Sequence, residues 1–439
     1  MQARTTGAMA LAPAHGTQQE HATVLPTNQR RIIGRRLRWL IGAVLVWALI
    51  YLLLYVPAGG NGSDFQDFYV AAYADAHGID VYSWPAIWRA EQLVYNGGVG
   101  HLHPFNFVPY GNPPPFALLL RPLTALPEST AYLLWAVLIV VTMACGAYLG
   151  LPAWPRAQRL LATAMVTLSP AALFNVRLGQ SASLLLLGLG LALWLLHRRQ
   201  PGLAGAALTI GLVKPHLILP VALILIVAAP REQRRPAIYG VLAGAAAWVV
   251  VAMAADGGIG VFGRWWASIH DYIGTIRLQP DVASIPGFYY SSAPAGMIGP
   301  LNGICLLAAF AMVTALAWYA WRVRGGDEHA RALLFGGGIA AYFALSPYVH
   351  TGDQVVLALP LLALIGPTGQ GIRQNAVLLA ATVALVAPIT AFRDYHTEGI
   401  NALPPLCLGL AYLLWEQARR RARDPGAAPV AVAASKADG

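Results

Sequence analysis

Charge is scarce in this chain. Only 11% of its 439 residues are Asp, Glu, Lys or Arg, against 57% that are hydrophobic. That balance argues against a soluble enzyme, since an ordinary globular domain carries about 25% charge. Cysteine is scarcer still: Cys145, Cys305 and Cys407 each sit inside an apolar run. They read as small core residues rather than a disulfide framework or a metal site, and they leave the redox compartment open. His101 and His103 in "HLHPF" form a pair without a third ligand nearby, which falls short of a zinc set. No internal repeat is visible, and no linker sets off a soluble domain.

What the chain does have is long apolar runs. A spanning helix needs about 20 such residues, and "LRWLIGAVLVWALIYLLLYV" at 37–56 supplies them. Further runs centre on 130–150, 158–176, 181–197, 202–213, 215–229, 236–255, 298–321, 329–346, 354–367, 374–391 and 402–416. The fold class expected is therefore an all-α integral membrane protein, a polytopic bundle of about 12 transmembrane helices with large outer loops. The pair around 202–229 is short for a bilayer, because "GLVKPHLILP" interrupts it. The first run is longer than a signal-peptide core and lacks a convincing A-x-A site, so it reads as a retained span.

The basic flank "RRIIGRRLRW" before that run places the N-terminus in the cytoplasm by the positive-inside rule. Every later loop then alternates. Lys and Arg collect in the segments so assigned to the inside, including "HRRQ", "PREQRRP" and "RRRAR". The outside keeps Arg89, Arg121, Arg177, Lys214, Arg264, Arg277 and Arg393. The formal charge of +10 is thus a topology signal, with the clusters acting as anchors near anionic lipid, and a nucleic-acid partner loses its main support. The organisation expected is a cytoplasmic disordered and basic segment at 1–36, a membrane domain at 37–418 with outer loops 57–113 and 256–297, and a cytoplasmic tail at 419–439.

With that orientation, the remaining polar residues fall on outer loops or the outer ends of helices. They are Asp64 and Asp67 in "NGSDFQDFYV", Asn112 in "YGNPPPF", Arg177 and Gln180 in "FNVRLGQSAS", Lys214 and His216 in "VKPH", His350 and Asp353 in "SPYVHTGDQ", and Arg393, Asp394 and His396 in "FRDYH". Ionisable groups at membrane depth are costly, so their collection at one face points to a shared site. ATP and nucleotide-activated donors are cytoplasmic, and a transferase working outside needs a lipid-linked donor. A polyprenyl-phosphate sugar meets that need. Its transfer requires a carboxylate to take the acceptor's hydroxyl proton, stabilisation of an oxocarbenium-like transition state and cations to hold the departing phosphate. Asp64 could supply the first, and Arg177 and Lys214 the last.

The stretches "SDFQDFYVAAYADAHGIDVYS", "YGNPPPFALLLRPLTALP", "RLGQSASLLLLGLGLAL", "GLVKPHLILPVALIL" and "SPYVHTGDQVVLALPLL", in this order, resemble the pattern of glycosyltransferase family 87 over most of residues 60–365. That family groups polyprenyl-phosphate-mannose-dependent mannosyltransferases of the GT-C membrane fold. The resemblance implies an inverting transfer on the outer face of the cytoplasmic membrane, without metal or cofactor, with Asp64 as catalytic base. The expected substrate-binding set is Asp67, Tyr69, Asn112, Arg177, Gln180, Lys214, His216, His350 and Asp353. The partners implied are the polyprenyl-phosphate sugar, a lipid or glycan acceptor and membrane lipids.

Each candidate also has a structural reading. Ser63 or Asp64 could cap the helix that starts there. Asp67 could support its neighbour, and Asp75 and Asp80 read as solvated. Lys214 and Arg177 could snorkel to the headgroups. "NPPPF" reads as a rigid turn opening a short re-entrant helix, "VFGRWWASIHDYI" as a segment lying in the outer interface, and "FGGGI" as close helix packing. For the whole chain the alternatives are a transporter or lipid flippase, an O-antigen ligase or polymerase using diphosphate-linked glycans, and a scaffold subunit that would tolerate loss of Asp64.

Overall fold

The computed structural model describes residues 63–95, 110–255, 257–275, 284–286, 293–322 and 328–365. Among them every regular element is helical. The chain runs through α1 (Ser63–Ala76), α2 (Trp84–Val94), α3 (Pro114–Leu120), a 3-10 turn at Arg121–Ala125, α4 (Glu128–Leu149), α5 (Arg156–Thr167), α6 (Pro170–Leu178), α7 (Ala182–His197) and α8 (Pro201–Leu208). A second 3-10 turn, Thr209–Val213, leads to α9 (Pro215–Ala228), α10 (Arg231–Ala255), α11 (Gly260–Thr275), α12 (Ala295–Arg322) and α13 (Glu328–Leu345). A third, Thr351–Leu357, precedes α14 (Ala358–Ile365).

Three stretches, α4, α10 and residues 296–318 of α12, are long and apolar enough to cross a membrane, and α5 with α6, bent by 49° at their junction, would make a fourth. Other expected spans appear as shorter apolar helices, among them α7, α8 with its 3-10 extension, and α9. The expectation of about 12 spans is thus met by length and apolarity at three or four helices. The runs at 37–56, 374–391 and 402–416, both terminal segments and the "FRDYH" group lie outside the described residues.

The lipid-facing surface is legible in α4. Leu133, Leu134, Val137, Leu138 and Val141 form an exposed apolar stripe, while Ala131, Trp135, Ile139 and Met143 on the other face are buried. Water would penalise such a stripe and hydrocarbon does not. Inside, helices approach at small residues: a Cβ added to Gly190 of α7 would lie 1.9 Å from the Gly146 carbonyl of α4, and one added to Gly240 of α10 would lie 1.8 Å from the Gly202 carbonyl of α8. Backbones this close leave room for no side chain.

The start of α1 rests on an aromatic cluster. Phe65 lies tilted 5.5 Å from Tyr132 and stacks 6.4 Å from Trp135, and Phe68 meets Phe116 edge-on at 5.0 Å. Arg121 forks onto both oxygens of Asp75, its Nη2 lying 2.8 Å from Oδ1, and Tyr69 donates to the Leu126 carbonyl at 2.7 Å. Asp75 is therefore buried and paired, not solvated as its loop position suggested. Asp80 is exposed and lies 3.5 Å from Arg264. Pro113 to Pro115 open α3 as expected, proline being tolerated in a first turn whose N–H groups lack helical partners anyway. On α11, Trp265 donates to the Gly111 carbonyl at 2.9 Å and Ser268 to the Tyr110 carbonyl at 3.0 Å, while Trp266 is 69% exposed.

Candidate functional site

Four chain ends converge to build the site. The first is the start of α1, where Asp64 occupies the first turn and favours the helix dipole. The second is the end of α6. Ser169 caps its start, accepting from Ala172 N–H at 3.3 Å, and Gly179 ends it in the left-handed conformation at φ 73°. Gly179 N–H bonds the Val176 carbonyl at 3.1 Å and Gln180 N–H bonds the Asn175 carbonyl at 2.9 Å, the paired closure of a Schellman motif. Trp135 of α4 fixes the turn by donating its indole N–H to the Gly179 carbonyl at 2.7 Å. Gln180 is thereby delivered to the side of α1.

The third end is the break before α9. Pro215 has no N–H to continue a helix, and Lys214 adopts a non-helical conformation at the junction, which aims its side chain inward. The fourth is the turn 351–357, whose start is closed reciprocally: His350 N–H donates to Asp353 Oδ2 at 3.0 Å, and Asp353 N–H donates to the His350 carbonyl at 3.0 Å. Asn175 on α6 holds this turn by donating to the Gly352 carbonyl at 3.2 Å.

These ends carry one continuous network. Lys214 Nζ donates to Asp353 Oδ1 at 2.6 Å and to Gln180 Oε1 at 2.6 Å, and Gln180 Nε2 donates to Asp64 Oδ2. Gln180 is 5% exposed, Lys214 6% and Asp353 0%. Desolvated charges survive only when paired and hydrogen-bonded, as this pair is. Of the residues expected from sequence, Asp64, Gln180, Lys214, His350 and Asp353 are thus joined directly. His216 lies at the margin: its ring is 5.2 Å from Tyr348, which is 4.4 Å from the ring of His350.

Asp67 sits one helical turn beyond Asp64 and is half-buried. Burial pushes its carboxyl well above the ordinary value, and the neighbouring charges of Asp64 and Glu91 push it the same way. Arg177, half-buried in the last turn of α6, gives its carbonyl to the Tyr132 hydroxyl at 3.1 Å. Two expected residues make contacts elsewhere. Tyr69 bonds Leu126, and the Asn112 carbonyl accepts from Tyr82 at 2.9 Å.

Sequence reading singled out neither Asn175, which is fully buried, nor Glu91, which is 4% exposed on α2. Burial raises the Glu91 carboxyl too. A signal for Glu91 exists: it follows Ile87 by four residues and Ala90 by one, on the buried face of an amphipathic helix. Among the described residues no group of three His, Cys, Asp or Glu side chains is arranged to hold a metal ion.

Apolar helices packed around a buried, charge-paired cluster are the build of a helical membrane protein. Glycosyltransferase family 87 matches residues 110–347, more than half of the chain, and the chain belongs to that family. It is a membrane glycosyltransferase. No curated protein and no solved structure matches it. The matched segment contains Asn112, Arg177, Gln180, Lys214 and His216, while Asp64, Asp67, Tyr69, His350 and Asp353 lie outside it. Asp64 and Asp353 are tied back to the matched segment by Gln180 and Lys214.

Proposed function

We propose that this protein transfers a sugar, mannose by the family resemblance, from a polyprenyl-phosphate donor to a lipid or glycan hydroxyl on the outer face of the cytoplasmic membrane. The single observation that carries the reading is the hydrogen-bonded line from Asp64 through Gln180 to Lys214, which brings a carboxylate and a cation from distant parts of the chain into one buried site. Glycosyl transfer from a phosphate needs that pair. A base accepts the proton of the attacking hydroxyl, and cationic groups stabilise the charge that develops on the leaving phosphate.

In this mechanism the acceptor oxygen attacks the anomeric carbon from the face opposite the phosphate. The bond between that carbon and the phosphate oxygen breaks, its electron pair leaves with polyprenyl phosphate, and the acceptor's proton passes to Asp64. The product anomer is inverted. Arg177 and Lys214 hold phosphate, and Asp67, His216, His350 and Asp353 line the sugar or acceptor. Polyprenyl phosphate is a stable leaving group, so the step as written uses neither a general acid nor a metal. The basic clusters that collect on the opposite side support placing this site outside, with both termini in the cytoplasm.

The test is incubation of the purified protein, in nanodiscs, with a panel of polyprenyl-phosphate sugars and a lipid acceptor extract. Transfer from one donor of the panel supports the reading. Use of diphosphate-linked glycans instead would move the protein to the ligase or polymerase class.

A further inference from the structure

Lys214 and Asp64 belong to one network but do not touch: a neutral amide stands between them. A lysine ammonium has only donors. Gln180 must therefore turn Oε1 toward Lys214, at 2.6 Å, and its planar amide then presents Nε2 to Asp64. Lys214 is in turn fixed by Asp353 Oδ1 at 2.6 Å, and Asp353 by the His350 N–H at 3.0 Å. Donation runs in one direction along this line, and the burial of Gln180, Lys214 and Asp353 removes the water that could reverse it.

We propose that Gln180 is a positioning residue: its amide, oriented by Lys214, fixes the rotation of the Asp64 carboxylate and keeps it ionised, ready to take the acceptor's proton. This rests on the reading of Asp64 as the base. A direct ammonium contact would favour the carboxylate so strongly that it would be a poor base, whereas an amide donor stabilises the anion without cancelling its basicity. The elements packed against α1 carry Arg89 and Glu91 on α2, Arg121 on the first 3-10 turn, Glu128 on α4 and Arg177 on α6, and Asp67 lies on α1 itself. Arg121 is engaged by Asp75, and α3 has no titratable side chain. Gly179 is part of the device. Its left-handed turn places Gln180, and the absence of a side chain lets that turn lie against Phe65, the residue after Asp64.

The experiment is the pH profile of kcat/KM for transfer by the full-length protein in nanodiscs, comparing wild type with Gln180→Leu, Gln180→Glu and Lys214→Met. Gln180→Leu removes the donor. Gln180→Glu keeps the shape and the acceptor for Lys214 but offers Asp64 no N–H, so it carries the test if the leucine variant fails to fold. The expected result is an acidic limb displaced to higher pH by about one unit in Gln180→Leu, the scale of one lost hydrogen bond to a carboxylate, and at least as far in Gln180→Glu, which also sets a second carboxyl beside Asp64. Lys214→Met should displace it in the same direction, with no further displacement when combined with Gln180→Leu. An unmoved acidic limb with a uniformly lower rate would overturn the proposal and make Gln180 a structural or substrate contact. If the Asp64→Asn control retains transfer, the reading of the base fails, which separates that failure from a failure of the amide's role.

Discussion

Gly179 and Phe65 lie so close that a Cβ added to the glycine would stand 2.5 Å from the Phe65 Cβ. The end of α6 and the start of α1 are in contact there because one partner has no side chain. Gly179 also holds φ at 73°, a conformation that costs an L-residue about 1–2 kcal/mol. Gly179→Ala should therefore destabilise the protein by about 1–3 kcal/mol and lower transfer disproportionately, because the Gln180 to Asp64 bond lies one residue away on each side. Thermal unfolding in detergent beside an activity assay checks both parts. Activity falling only in step with the folded fraction would reduce Gly179 to a packing residue.

The Lys214 and Asp353 pair makes a sharper prediction about stability. Removing one partner leaves a buried charge without its counter-ion, a change that costs about 3–5 kcal/mol. Lys214→Met alone, or Asp353→Leu alone, should lower the unfolding temperature strongly. The double variant should recover much of the loss. Additive losses in the double variant would show that the two groups do not act as a pair.

Asp67 predicts a pH effect on folding. Its native-state affinity for a proton is raised, chiefly by burial, with Asp64 and Glu91 adding to it. A raised carboxyl supports the fold most at pH below its unfolded value, near 3.8, and that support is lost as pH climbs through the raised native value. Asp67→Asn cannot ionise, so it should gain stability relative to wild type progressively as pH rises above the ordinary carboxylate range. Melting curves of both proteins across a pH series test the sign; a constant difference would mean that Asp67 does not titrate on unfolding.

Arg177 is expected to act through the fork of its guanidinium, which can meet two phosphate oxygens at once. Arg177→Ala should raise the donor KM by about tenfold, and Arg177→Lys should recover only part of it. The comparison of donor affinities decides it. Equal affinity in both variants would return Arg177 to an anchoring role at the membrane surface.

How far the sequence foretold this site depends on what each residue reveals locally. Asp64, Lys214 and Asp353 stood out because charge is rare in this chain, and a desolvated charge needs a reason to be there. Asp75 misled, since nothing local says that Arg121 will fold back over it; that pairing depends on the 3-10 turn after α3. Asn175 was silent, because an amide in a short helix looks the same whether it faces solvent or a neighbouring backbone, whereas Glu91 was signalled only by its place on the buried face of α2. The hydrophobic runs located the described helices, and the interruption "GLVKPHLILP" already marked α8 and α9 as short for a full crossing. The Schellman turn at Gly179 was readable in principle from "RLGQ", a glycine following a helical run. Its consequence, the delivery of Gln180 to Asp64, required the fold.

The most direct test of the central claim counts products. Wild-type protein in nanodiscs, given the one donor it accepts, should release one polyprenyl phosphate for each sugar transferred, and Asp64→Asn should yield neither product while binding the donor with unchanged affinity. Transfer that persists in Asp64→Asn would contradict the account, because no proton acceptor would then be needed where Gln180 holds that carboxylate.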